Sequence, residues 1–247
     1  MKRDALLIIL DEFDVIQDKD GIGSLIKSLT TSEVKFAVCG VGRDLSDLIH
    51  DHASVERLIE QGVLSVRPMP PAESEAIIVR ASELFKGDIR FEPGIGTKIA
   101  DLCQGYPYFV QLIGKQCVNE ANAVNTRLID HSVFDKVVDD LRTGKAFPTL
   151  ESAYQRAIGN STDRQLLLHL LAEQPTEQSL FSDEIGRIVL KASRQVAEEL
   201  NVQFVDQLMP RLVEKKYGPV LERVPERQGT YEFVNPVLRQ YIRLRQL

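Results

Sequence analysis

The chain has 247 residues, a formal net charge of −6, and 43% hydrophobic against 27% charged residues. This is the balance of a globular protein with room for one large domain or two to three small ones. Net acidity argues against whole-surface attraction to nucleic acid or an anionic membrane, and three cysteines without C-x-x-C spacing argue against a disulfide framework or a cysteine zinc site.

There is no Trp, so Leu, Ile and Val must supply most of the core. No apolar stretch approaches the ~20 residues of a membrane span. Lys2 and Arg3 precede a short apolar run that acid follows directly, so a signal peptide is not expected there. The expected setting is the cytoplasm, with no membrane partner.

Residues 6–10 are a continuous apolar run ending in acid, the pattern of a parallel strand covered on both faces. Residues 21–29 place Leu25, Ile26 and Leu29 on one helical face. Residues 34–39 read as a second strand closed by Gly40-Val41-Gly42, residues 44–60 as one or two helices, and residues 62–66 as a third strand closed by prolines. The pattern then turns to helix alone: 72–85, 95–103 stopped by Gly105, 107–121 opening on a proline, and 132–141 ended by Gly144. Proline in a first helical turn gives up an N–H that has no partner anyway. A domain boundary is placed within residues 143–148. Beyond it, 163–172 and 204–216 read as helices, 220–224 and 231–234 as a hairpin, and 236–244 as a last helix. Helices, hairpin and closing helix suggest a winged helix-turn-helix.

The segment richest in chemistry is Leu6-Leu-Ile-Ile-Leu-Asp11-Glu12-Phe13-Asp14. A buried strand delivers two carboxylates to its C-terminal tip, the edge where ligands sit in open α/β sheets. One carboxylate can hold hydrated magnesium, and its neighbour can orient or deprotonate an attacking water. The plainer alternative is a core strand that ends in solvated acids.

The segment resembles the Walker B motif of P-loop ATPases, and Phe13-Asp14 resembles the version in the AAA+ clade, more narrowly its initiator and STAND branches. The resemblance implies ATP and Mg²⁺ as cofactors, Asp11 as the magnesium ligand and Glu12 as the catalytic base. The strand from Lys35 stands where that family has its sensor 1 strand. Its first strong polar side chain is Arg43, which is assigned to the nucleotide; a glycine-rich turn is the alternative. Arg57 sits where an AAA+ arginine finger reaches a neighbouring subunit's ATP, implying a homo-oligomer; a surface arginine paired with Glu56, Glu60 or Asp51 is the alternative. Gly105-Tyr106-Pro107 resembles the Gly-x-Pro of STAND lids, which places Gly105 and Pro107 near the nucleotide; an ordinary helix stop and start is the alternative. The architecture implied is α/β: a partial P-loop NTPase parallel sheet with three strands at 1–70, a helical lid at 71–146 and a winged-helix domain at 147–247.

The G-x-x-x-x-G-K-[ST] loop that cradles phosphates is absent from the sequence: Gly114-Lys115 is followed by Gln116, and position 109 is Phe. The chain is therefore expected to be the rear part of such an ATPase, unable to bind or hydrolyse ATP alone, with apolar strand edges exposed. Either a longer protein or another chain would complete the sheet. The competing expectation is a non-enzymatic module whose winged helix binds DNA or a protein. For DNA, the candidate phosphate contacts are Lys215, Lys216, Arg239, Arg243, Arg245 and a wing bearing Arg223 and Arg227. Acidic and basic residues balance from Glu151 onward, which favours packing on the lid or a protein partner.

Overall fold

The computed structural model describes residues 5–16, 18–41, 62–174, 180–191, 202–224 and 228–245. The chain is a mixed α/β protein, mostly helical, and divides into two compact units, 1–67 and 68–247.

The first unit holds β1 (Leu6–Leu10), α1 (Ile22–Leu29) and β2 (Val34–Val38). The strands pair in parallel, Leu6 opposite Val34 through Leu10 opposite Val38. Parallel neighbours need a crossover, and α1 supplies it. Phe13, 1% exposed, is the one described hydrophobic residue of this unit that is fully buried. Leu10, Ile22, Ile26 and Val38 pack around it. Leu6, Leu7 and Ile9 of β1, and Leu25 and Leu29 of α1, remain exposed. A parallel sheet normally has both faces covered, and this one does not.

The third strand expected at Gly62 to Val66 does not form; among the described residues the first unit has two strands. A strand is stable only when a neighbour takes up its N–H and C=O groups. This segment pairs with neither strand, and Val63, Leu64 and Val66 face solvent.

The second unit begins with α2 (Pro71–Leu84), α3 (Ile95–Cys103), α4 (Pro107–Ala123) and α5 (His131–Arg142). Asp130 caps α5, accepting the N–H groups of Ser132 and Val133 at 3.0 and 3.1 Å. Between these helices, β3 (Arg90–Phe91) pairs in parallel with β4 (Leu128–Ile129). Next come α6 (Pro148–Ile158) and α7 (Thr162–Ala172). Then follow β5 (Leu180–Phe181), α8 (Ser182–Lys191), α9 (Val202–Val213), β6 (Leu221–Arg223), β7 (Thr230–Phe233) and α10 (Pro236–Leu244). The last sheet is antiparallel, in the order β5-β7-β6.

One hydrophobic cluster runs through this unit from Ile78 to Leu244. The segment 143–148, where the sequence analysis places a boundary, contains the buried Phe147. Its ring stands edge-on between Phe109 of α4 (6.4 Å) and Tyr241 of α10 (6.3 Å). Tyr241 continues to Tyr154 of α6, and Tyr154 to His169 of α7. Such edge contacts add about 0.5–1.5 kcal/mol each beyond their buried area.

Helix α10 holds this arrangement through polar side chains. A helix end leaves carbonyls without intrahelical partners, and α10 supplies donors to three such ends. Arg239 donates from Nε to Ala172 C=O at 3.4 Å and from Nη2 to Gln174 C=O, closing α7. Gln240 donates to Leu102 C=O at 3.1 Å, closing α3, and Arg243 donates to the side-chain Oε1 of Gln104, the C-cap of that helix. Arg245 donates to Arg142 C=O, closing α5. The Arg239 guanidinium also lies 5.2 Å from the centre of the Phe233 ring in β7. Arg239, Arg243 and Arg245, entertained above as a DNA-facing stripe, are thus committed to internal contacts.

Arg245 also meets Glu151 of α6, with Nε 2.9 Å from Oε2, and Glu151 accepts the Tyr241 hydroxyl at 2.5 Å. Beneath them Tyr154 Oη and His169 Nε2 are 2.9 Å apart and buried. Burial, with a smaller contribution from the Arg245 charge, pushes the His169 imidazole down from 6.5 to about 4. Between those values the unfolded chain takes up a proton that the native state refuses. The His169 contribution to native stability is therefore full above pH 6.5 and is lost as pH drops toward 4, by roughly 3 kcal/mol in all. In urea titrations across this range, His169→Gln is expected to flatten the acid-side loss.

Candidate functional site

The acidic tip of β1 is built by a turn. Asp11 and Glu12 are exposed and adjacent to the buried Phe13. Glu12 adopts a left-handed backbone, φ 53°, a conformation that costs a non-glycine residue on the order of 1 kcal/mol. Asp11 Oδ1 accepts the Glu12 N–H at 2.9 Å. Phe13 N–H donates to Cys39 C=O at 3.0 Å, and Cys39 N–H to Leu10 C=O at 2.8 Å. These bonds continue the β1–β2 ladder past the strand ends. Asp14 Oδ1 accepts the Val41 N–H at 3.0 Å and ties the two tips together. Burial of Phe13 and the Asp14 clamp thus hold the strained turn that presents two neighbouring carboxylates to solvent. Asp14 is not among the site residues expected from the sequence; its place after an apolar-Asp-Glu run was the available signal.

Among the described residues, no group of three or more His, Cys, Asp or Glu is arranged to hold a metal ion. Magnesium does not require one, since it is commonly bound by one or two carboxylates, waters and substrate phosphates. An exposed Asp11 beside Glu12 fits that mode. Arg43 and Arg57 lie outside the described residues.

Gly105 and Pro107 lie in the second unit, in the turn from α3 to α4. Gln104 (φ 47°) and Gly105 (φ 81°) are both left-handed. Gly105 is buried, and its C=O accepts the Met69 N–H at 2.8 Å. A Cβ at this position would stand 2.5 Å from Met69 O, so the close backbone approach requires glycine. Pro107 is the first residue of α4 and is exposed, with Tyr106 at the N-cap. The turn is gripped from the other side by Gln240 and Arg243 of α10, a link that sequence reading missed. The signal was the spacing of Gln240 and Arg243, which share one helical face.

No protein-family model matches the sequence, and no curated protein matches it. Among solved structures it is similar to RuvB of Thermotoga maritima, described as a Holliday junction branch migration motor. The two are 16% identical over 89% of this chain and 64% of that one, with a TM-score of 0.47. Two point mutants of the same protein give the same identity and TM-score. The chain spans less than two thirds of the length of those proteins, 64–65%. At that distance a likeness does not carry over an activity. No described helix is long and apolar enough to cross a membrane.

Because Phe13 stands alone as the centre of its cluster, Phe13→Ala is expected to cost about 3–5 kcal/mol. Hydrogen exchange should show amides of β1 and β2 losing protection while those of residues 68–247 keep theirs.

Proposed function

We propose that this chain carries the magnesium- and water-handling part of an ATP-dependent switch of the AAA+ type, together with a lid and a winged-helix tail. The observation that carries the reading is the tip of β1, where a parallel strand ends in two exposed carboxylates held by a buried Phe13 and the Asp14 clamp. In this reading Asp11 holds Mg²⁺, which neutralises phosphate charge when bound. Glu12 orients or deprotonates the attacking water. Arg43, Gly105 and Pro107 belong to the nucleotide side, and Arg57 is a finger toward a second subunit of a homo-oligomer.

The phosphate-cradling loop is supplied by other polypeptide, in the same protein or a partner. The exposed apolar residues of β1 support this: Leu6, Leu7 and Ile9 suit a strand that further sheet and helices would cover. The chain by itself then binds no ATP. Equilibrium titration with a fluorescent ATP analogue and magnesium should give no saturable signal, and saturable binding abolished by Asp11→Asn would overturn the missing-loop account.

The metal claim has its own test. Mn²⁺, a paramagnetic stand-in for Mg²⁺, should selectively broaden the amides of residues 10–14 and 40–41, and Asp11→Asn should remove the effect. Uniform broadening, or broadening unchanged in the variant, would leave Asp11 without a metal role.

A second reading treats the tail as a winged helix that binds DNA or a protein, with the first unit as scaffold. The order α7, β5, α8, α9, β6, β7 and the sheet order β5-β7-β6 favour it. With the arginines of α10 committed internally, the cations left for such a partner are Arg211, Lys215, Lys216 and Arg223, all exposed.

A further inference from the structure

Arg164, in the first turn of α7, is 8% exposed. Its Nε and Nη1 are buried and have no hydrogen-bond partner. The guanidinium carbon lies 4.4 Å from the centre of the Tyr217 ring, in the 3₁₀ turn Lys215–Tyr217. Stacking satisfies the face of a guanidinium but leaves its N–H donors, which lie in the plane, without acceptors. Burying charged donors unpaired is among the costlier things a fold can do.

The surroundings are built around this group. Gly159, between α6 and α7, has φ 52° and ψ −131°, a conformation essentially confined to glycine. A Cβ there would stand 2.6 Å from Arg164 Nη2, so the bare backbone is what lets the guanidinium lie against the turn. Arg156 of α6 reaches the next residue of the opposite turn, its Nη1 3.6 Å from where a Cβ on Gly218 would be. Lys216 Nζ lies 5.5 Å from the Tyr217 ring centre. Arg156, Lys215 and Lys216 are exposed. No ion pair is made by any of these four cations among the described residues. Sequence spacing hid the group, because Arg156 and Arg164 lie on different helices and meet only across residues 217 and 218.

We propose that the junction of the α6–α7 turn with the Lys215–Gly218 turn is a phosphate-binding site. Arg164 brings two unpaired donors, Nε–H and Nη1–H, on different edges of its guanidinium, each for a phosphate oxygen, and Arg156, Lys215 and Lys216 balance the charge. A guanidinium holds its donors at fixed directions in one plane and stays charged when buried, which the rotating ammonium of a lysine does not match. Both donors are covered in the free protein, so occupancy slides the guanidinium along the Tyr217 ring toward solvent. The phosphate can come from a free or nucleotide source, or from a phosphodiester backbone. The site is independent of the Asp11 reading and involves none of its residues.

The test is a titration of the full chain followed by amide and Tyr217 ring resonances, with inorganic phosphate in one arm and a short mixed-sequence DNA duplex in the other. Potassium chloride at matched ionic strength is the control. We expect saturable shifts confined to residues 156–164 and 215–218. Arg164→Lys, which keeps the charge and loses the fixed planar donors, should weaken binding about tenfold. Arg156→Gln, an exposed position with little bearing on folding, should weaken it several-fold. Saturation in the phosphate arm alone assigns a free or nucleotide phosphate, and saturation in the duplex arm assigns a phosphodiester. Shifts that match the chloride control in both arms, or binding indifferent to both variants, would overturn the proposal.

Discussion

The second unit depends on one helix satisfying the ends of three others. Each α-helix ends in carbonyls with no partner of their own, and a packed helical unit must find donors for those it buries. Here the donors are gathered on α10 and its C-cap Arg245: Arg239 for α7, Gln240 for α3, Arg245 for α5. Cations at helix C-termini also meet the negative end of the helix dipole, so charge and hydrogen bonding act in the same direction. The half-buried Glu151 carboxylate fixes Arg245 in place, and the aromatic line from Phe109 to His169 fills the space beneath. Removing one member of a mostly buried pair such as Glu151–Arg245 leaves the other uncompensated, which is why such networks behave as a unit.

The two units differ in how they are held. Residues 68–247 share a continuous core, whereas β1, α1 and β2 gather around a single buried ring. The thin core is matched by what it supports, a turn with a left-handed Glu12 and two solvent-facing carboxylates. Such a turn is strained and polar, and it needs a rigid anchor close by. Phe13 is adjacent in sequence and Asp14 follows it, so the anchor is written into the four residues that carry the chemistry.

Much of this was legible in the sequence because periodicity survives folding. The apolar run at residues 6–10 and the alternation of turns and helices from 71 onward correspond to β1 and to α2 through α5 within a residue or two at most ends. Helix α6 was missed, although Leu150, Ala153, Tyr154, Ala157 and Ile158 follow helical spacing, because Pro148 and the preceding glycine drew attention to a boundary. The strands β3, β4 and β5 have two residues each, too short to show any period. The expected third strand failed for the opposite reason. Val63, Leu64 and Val66 have the right composition, but strand formation is a property of a pair, and local sequence says nothing about whether the partner is there. For the arginines of α10 the balanced charge from Glu151 onward already favoured packing over DNA but did not say which groups they meet. A stripe of cations on a terminal helix looks like a surface for phosphate until the carbonyls it serves, about 70 to 140 residues away in sequence, are seen.

The grip of Gln240 and Arg243 on the Gln104–Gly105 turn has a mechanical consequence. The same helix carries Arg239, whose guanidinium rests on Phe233 of β7. The contacts to the α3–α4 turn and to β7 thus leave one helix within about a single turn, so both rest on the same support.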